Sequence, residues 1–254
     1  MKRIAAIAWC TFQEAVKDRL VFSLLFGGSL LLLSALVVAE LTFIQRTRVI
    51  TDVGLTAITL TGVLMAIFAG SNLFSREIER KRAYVILSKP VPRWQFVIGK
   101  FSGIAFAITF NVVILTALFV ALLYLDSRYW DPAIFKAAFL ILLELWLLAA
   151  FSLLFSSFST PFLSIFYTFI LFAAGHMLRD IRAYWQLKSV ATRFLTKLIY
   201  YVLPNLDNFN IKSSVANQIP VPMSFVTQSF LYWLIYISAL LLVTVWLFQY
   251  RELE

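Results

Sequence analysis

Long apolar runs separated by charged residues set the pattern of this chain. Leu20 to Ala39, Val53 to Ser75 and Phe101 to Leu125 contain no charged side chain, and charged residues close each run at both ends. At 1.5 Å of rise per residue, each is long enough as a helix to cross a hydrocarbon layer of roughly 30 Å. Between Lys136 and Arg179 the only charge is Glu144, in a stretch twice the length that one crossing needs. The run Ser156-Ser157-Phe158-Ser159-Thr160-Pro161 divides it, because small polar residues ending in proline mark a turn. Pro220 and Pro222 delay a last apolar helix until residue 224. The pattern predicts an all-α integral membrane protein, a single transmembrane domain over 1–254 with six transmembrane helices at about 20–39, 53–75, 101–125, 137–157, 160–178 and 224–248.

The connecting segments carry patterns of their own. Residues 1–19 predict an N-terminal interfacial helix: Ile4, Ala5, Ala8, Trp9, Phe12, Ala15 and Val16 share one face, and Arg3, Gln13, Glu14, Lys17 and Asp18 the other, with Ile7 and Arg19 as breaks. Glu14 and Asp18 precede a first run too long for a signal-peptide core, so that run is expected to remain as a span. The loop 76–100 presents Glu77, Glu79, Arg80 and Arg82, then the apolar stretch Ala83–Leu87, then Lys89-Pro90-Val91-Pro92-Arg93, whose prolines end any helix. It reads either as a solvated basic loop that only orients the chain, or as an amphipathic element that docks into a groove of a cytoplasmic partner. In the segment 179–223, Trp185, Val190, Phe194, Leu195, Leu198 and Tyr201 predict a helix stopped at Leu203-Pro204-Asn205. That helix is either a cap on the membrane domain or a gate over an exit path.

Composition sharpens the class. Hydrophobic residues make up 61% and charged residues 14%, against about 45–50% and about 25% in soluble domains. This excludes an ordinary soluble enzyme and a disordered chain. The net charge of +9 suits basic loops against anionic lipid rather than nucleic acid. With an even number of crossings both termini share a side, and the first hairpin sets it: four Lys/Arg in 1–19 and seven in 76–100 flank two in 40–52. The basic-inside tendency then places the termini and the loop 76–100 in the cytoplasm. Six basic residues between Arg179 and Lys212 run against that tendency.

Several chemistries are absent from the sequence. Cys10 is the only cysteine and His176 the only histidine, which excludes an intramolecular disulfide, bis-histidine haem ligation and a His-Glu-x-x-His zinc site. Gly99-Lys100 is followed by Phe101 and lacks the upstream glycine of a P-loop, and no Gly-x-Ser-x-Gly elbow occurs. No metal site and no enzymatic activity of this chain are expected. Glu144 is the one carboxylate well inside a span, which makes it a candidate for a transport path or gate, or for an interhelical contact. Asn72 and Asn111 are expected to form hydrogen bonds between helices.

Three stretches carry a resemblance: Arg76-Glu77-Ile78-Glu79-Arg80 with Ile86-Leu87-Ser88-Lys89-Pro90-Val91-Pro92-Arg93; Phe96-Val97-Ile98-Gly99-Lys100; and Tyr200-Tyr201-Val202-Leu203-Pro204-Asn205-Leu206-Asp207-Asn208-Phe209-Asn210 with the tail Tyr250-Arg251-Glu252-Leu253. Together they resemble the permease subunits of ABC-2-type ABC transporters, in the branch that includes permeases for multicopper-enzyme maturation. The resemblance implies an exporter subunit in the cytoplasmic (inner) membrane of a prokaryote. It would pair with a second copy or a homologous permease and with two separate ABC ATPase subunits, which use ATP and Mg; this chain itself would bind no cofactor. In that family the loop between spans two and three is a cytoplasmic coupling helix. Carried over, Glu77, Glu79, Arg80, Arg82, Lys89, Pro90 and Arg93 would seat against the ATPase. Separately from the resemblance, the place of Glu144 inside a span and of Trp185 and Tyr201 on the outer segment makes them candidates for a path or gate. An extracytoplasmic accessory protein is an additional partner in that scheme. The chain has no Met/Cys/His ladder for copper, so the cargo stays open. A non-transporting membrane anchor is the alternative from another class.

Overall fold

The computed structural model describes residues 2–40, 46–79, 92–128, 131–178 and 203–250. Helix α1 covers Lys2–Lys17, α2 Arg19–Glu40, α3 Arg46–Glu79, α4 Arg93–Ser127, α5 Ala133–Phe158 and α6 Pro161–His176; a 3-10 turn at Leu206–Phe209 and the short α7, Lys212–Ala216, precede α8, Met223–Tyr250. No strand occurs among the described residues.

Among the described residues, five helices are long and apolar enough to cross a membrane: α2, α3 over Arg46–Asn72, α4, α5 and α8. The expected fifth span, 160–178, is shorter, with α6 ending at His176 after 16 residues. At 1.5 Å per residue it reaches about 24 Å, less than a full hydrocarbon thickness.

Contacts fix the direction of each helix. Glu40, Arg46 and Asp126 meet at what we term the distal end, where the Arg46 guanidinium lies 2.9 Å from Glu40 and 2.6 Å from Asp126. Gly28 of α2 abuts Thr61 of α3 and Leu115 of α4, so α2 and α4 run parallel and α3 returns between them. Gly62 lies on Leu145 and Gly70 on Ser152, which makes α3 and α5 parallel. Lys136 donates to the Val221 carbonyl, Phe139 stacks on Phe230 and Trp146 lies against Trp233, so α8 also runs parallel to α5.

The observed helices extend past several expected boundaries. Helix α3 starts at Arg46 rather than 53, and α4 at Arg93 rather than 101, so both ends of the expected loop 76–100 are helical. Charge marked the edges of apolar runs, but a helix continues through charged residues that find partners. Arg46 binds Asp126, and Lys100, only 2% exposed, sits 3.8 Å from Glu14. Similarly, α5 continues through Ser156 and Ser157 to Phe158, because those hydroxyls bond to carbonyls at Ser71 and Leu154. The turn is confined to Ser159-Thr160, with Pro161 opening α6, where its missing N–H costs no helical bond.

The expected N-terminal helix forms, with a different packing face. Ile4 and Ile7 meet Gly99, Ala8 and Thr11 meet Gly103, and Phe12 packs edge-on to Phe106 and Phe110. Three successive turns in step mean that α1 runs alongside α4. Ile7, which broke the sequence pattern, is a contact residue, while Trp9 is 61% exposed. The close approach needs glycine at 103: a Cβ there would stand 2.6 Å from the Ala8 carbonyl oxygen and 2.5 Å from Thr11 Cβ. Gly99-x-x-x-Gly103 is thus a small-residue seam of the kind that draws membrane helices together.

Gly103→Val should therefore destabilise the detergent-solubilised protein by about 1–3 kcal/mol, seen as a lower thermal midpoint. Gly27→Ala, at a position with nothing within 4 Å of an added Cβ, should leave the midpoint unchanged or slightly higher.

Candidate functional site

Two regions carry the polar chemistry, one at each end of the bundle. At the proximal end α3 finishes and α4 begins. Glu77 and Glu79 belong to the last turn of α3. Arg80, Arg82, Lys89 and Pro90 lie outside the described residues. Arg93, at the first position of α4, reaches across to α8: its Nη1 donates to the carbonyls of Phe248 at 2.9 Å and Gln249 at 2.8 Å, and its guanidinium stands 6.0 Å from the Phe248 ring. The last carbonyls of a helix have no partner within it, and they sit at the negative end of its dipole. Arg93 thus caps α8 and ties the start of α4 to the end of the last helix. Phe96 stacks on Phe248 just beneath.

At the distal half, Glu144 on α5 is fully buried. Its Oε1 lies 3.5 Å from His176 Nε2, in the last turn of α6. Neither carboxylate oxygen has a hydrogen-bond partner among the described residues. Among the described residues, Lys212, at the start of α7, Asp207 of the 3-10 turn and Asp52 of α3 contribute to the electrostatic neighbourhood. Burial pushes the Lys212 ammonium below the usual lysine range, while the negative charges of Glu144 and Asp52 pull it back up. The turn that carries Asp207 is anchored on α8, since the Asn205 N–H donates to Tyr232 Oη at 2.9 Å and Ser229 Oγ donates to the Asn208 carbonyl.

The structure therefore brings Glu144 to a histidine and a lysine that the sequence did not connect with it. His176 stands 32 positions from Glu144 and Lys212 a further 36. The signals in the sequence were that Glu144 is a lone carboxylate inside an apolar stretch and that His176 and Lys212 stand at the edges of apolar runs. Trp185 and Tyr201 lie outside the described residues. No group of three or more metal-ligating side chains occurs among the described residues.

A third polar feature lies between the two ends. Ser71 Oγ is 2.8 Å from Ser152 Oγ and 3.0 Å from Ser164 Oγ; Ser152 donates to the Ile67 carbonyl, and Ser164 to the Ser152 carbonyl. These buried hydroxyls join α3, α5 and α6. Asn111, expected to bond between helices, is buried with neither amide atom partnered among the described residues. Trp146 is the side chain that ties α4 to α5, through Nε1 and the Ala105 carbonyl at 3.1 Å.

The bundle of apolar helices is that of a multi-pass membrane protein, and the family comparison gives its class. The model of the ABC-2 family transporter proteins matches residues 5–253. The chain belongs to the ABC-2 transporter family. A search of curated proteins finds no match. As an ABC-2 membrane component, the chain is a multi-pass ABC transporter permease, and the family associates with an ABC ATPase.

Arg93→Ala should release the end of α8 in this ABC-2 permease. Amide exchange over 245–250, followed by mass spectrometry, should rise about tenfold, the equivalent of one charge-assisted hydrogen bond.

Proposed function

We propose that this permease is the transmembrane subunit of an ATP-driven exporter, working as a pair of copies with two separate ATP-binding subunits. The match to the ABC-2 family over residues 5–253 carries the reading. The absence of a P-loop from the sequence supports the division of labour, in which the ATPase supplies ATP and Mg chemistry and this chain supplies the path.

Six crossings are part of the proposal. Helices α5 and α8 both run from the distal to the proximal end, so the chain has to return between them. Helix α6, which pairs Ser164 with Ser152 and His176 with Glu144, is the described helix that runs in that direction. The proximal end would face the cytoplasm of a prokaryotic cell, with α1 near the membrane interface. The segment following α3 would be the coupling element, with Glu77, Glu79, Arg80, Arg82, Lys89, Pro90 and Arg93 at or beside the ATPase contact. Its acidic and basic groups suit a charged groove, and the Arg93 cap gives a mechanical reason for the contact to move α8 together with α4. Glu144, Trp185 and Tyr201 would then belong to the extracytoplasmic half of the path.

Reversing Arg80 and Arg82 to Glu tests the assignment in proteoliposomes containing the ATPase. Transport and permease-stimulated ATP turnover should fall at least about tenfold while membrane insertion is retained. Unchanged binding and turnover would remove the segment from the ATPase contact. Crosslinking the Trp185–Tyr201 segment between two copies should block export; undiminished flux would remove it from the path.

A further inference from the structure

The contact between Glu144 and His176 bears on a proton count. His176 Nδ1 lies 3.2 Å from the Phe172 carbonyl oxygen, one turn back on α6. A carbonyl oxygen only accepts, so Nδ1 carries the hydrogen. The other nitrogen, Nε2, then faces Glu144 Oε1 at 3.5 Å. With a neutral imidazole and an ionised carboxylate, that contact would set a bare nitrogen lone pair against a buried anion. Both groups would be acceptors, and neither carboxylate oxygen has a hydrogen-bond donor among the described residues. Burying an ionised carboxylate without a donor is among the most costly arrangements in a folded chain.

The described surroundings do not remove the conflict. Lys212 of α7 attracts Glu144, but Asp52 of α3 draws on the same ammonium, and Asp207 of the 3-10 turn adds negative charge to the site. Helix α8 brings no charged side chain between Met223 and Tyr250. The negative end of the α6 dipole, where His176 sits, also favours positive charge at the ring. One further proton resolves the contact wherever it rests. On Nε2 it makes an imidazolium–carboxylate pair, and on the carboxyl it makes an O–H donor to Nε2.

We propose that Glu144 and His176 form a proton-binding site, holding one proton between Oε1 and Nε2 that pins the end of α6 to α5. The occupant is a proton because Glu144 is fully buried and a 3.5 Å gap has no room for a larger cation. Its departure would leave two acceptors face to face at the end of α6. That end bears directly on the distal turn: a Cβ at Gly175 would stand 2.7 Å from Leu206 Cγ and 3.1 Å from the Pro204 carbonyl oxygen. Residues 203–210 thus lie against the helix end that the proton would pin. The site does not depend on the exporter reading, since it concerns this chain alone.

The test uses the full chain in lipid nanodiscs at neutral pH with nitrogen-15 histidine, which reports His176 alone because the chain has no other. Nδ1 is expected to be protonated. Nε2 is expected either to be protonated as well, or to accept a hydrogen bond from a carboxylic acid whose infrared carbonyl band is lost in Glu144→Gln. In that variant Nε2 should become a neutral acceptor. A wild-type ring with only Nδ1 protonated and no acid band would overturn the proposal. So would a neutral ring protonated only at Nε2, or a doubly protonated ring that Glu144→Gln leaves unchanged. If Glu144→Gln fails to fold, the wild-type nitrogen spectrum, together with the acid band in His176→Gln, still decides the count.

Discussion

Within a hydrocarbon layer, apolar side chains gain little by exchanging lipid for one another, so helices associate where their backbones approach closely and share hydrogen bonds. The seam between α3 and α5 meets that constraint, and the other helices are arranged around it. Gly62 and Gly70 leave space for Leu145 and Ser152, and Ser71, Ser152 and Ser164 exchange hydroxyl bonds where three helices meet. Helix α5 is buried along most of its length as a result, including Glu144. With larger residues at the two glycines, α5 would be pushed outward and the carboxylate would lose its enclosure.

Around that seam, charge is placed where a partner can be found. A charged residue at the middle of a lone span costs about 2.5–3.5 kcal/mol on insertion scales. Here the charges near helix ends are held by neighbours: Arg46 by Asp126 and Glu40, Lys100 near Glu14, Lys136 by the Val221 carbonyl, and Arg93 by the end of α8. Glu144 stands apart in having only the imidazole within ion-pair distance among the described residues. Among these groups it is the one whose state is set by a proton rather than by a fixed counter-charge.

The two chemical regions lie at opposite ends of the same rigid elements. Helix α3 runs from Asp52, beside Lys212, to Glu79 at the proximal end, and α5 carries Glu144 and, further along, the hydroxyls that meet α3 and α6. Packed backbone and short hydrogen bonds thus connect the proximal end to the distal half.

Much of this was legible from the order of residues. Long charge-free runs declare membrane helices because hydrocarbon excludes charge, and the paired prolines after Lys89 limit where a helix can persist. Family membership was also readable, since the motifs around the loop 76–100 and the Leu203–Asn210 stretch are local strings. Helix ends were not: a charge closes an apolar run, yet Arg46, Arg93 and Lys100 lie within helices because distant residues satisfy them. The face of α1 was hidden for a related reason. Hydrophobicity picks out Trp9, whereas the seam depends on small residues at 99 and 103, whose value appears only when a second backbone comes close. The sequence by itself determined which segments are greasy enough to be helices in a membrane, because transfer free energy is a property of each segment alone. Only the tertiary structure decided that Glu144, His176 and Lys212 share one neighbourhood, because that depends on three helices of different registers meeting at a common depth.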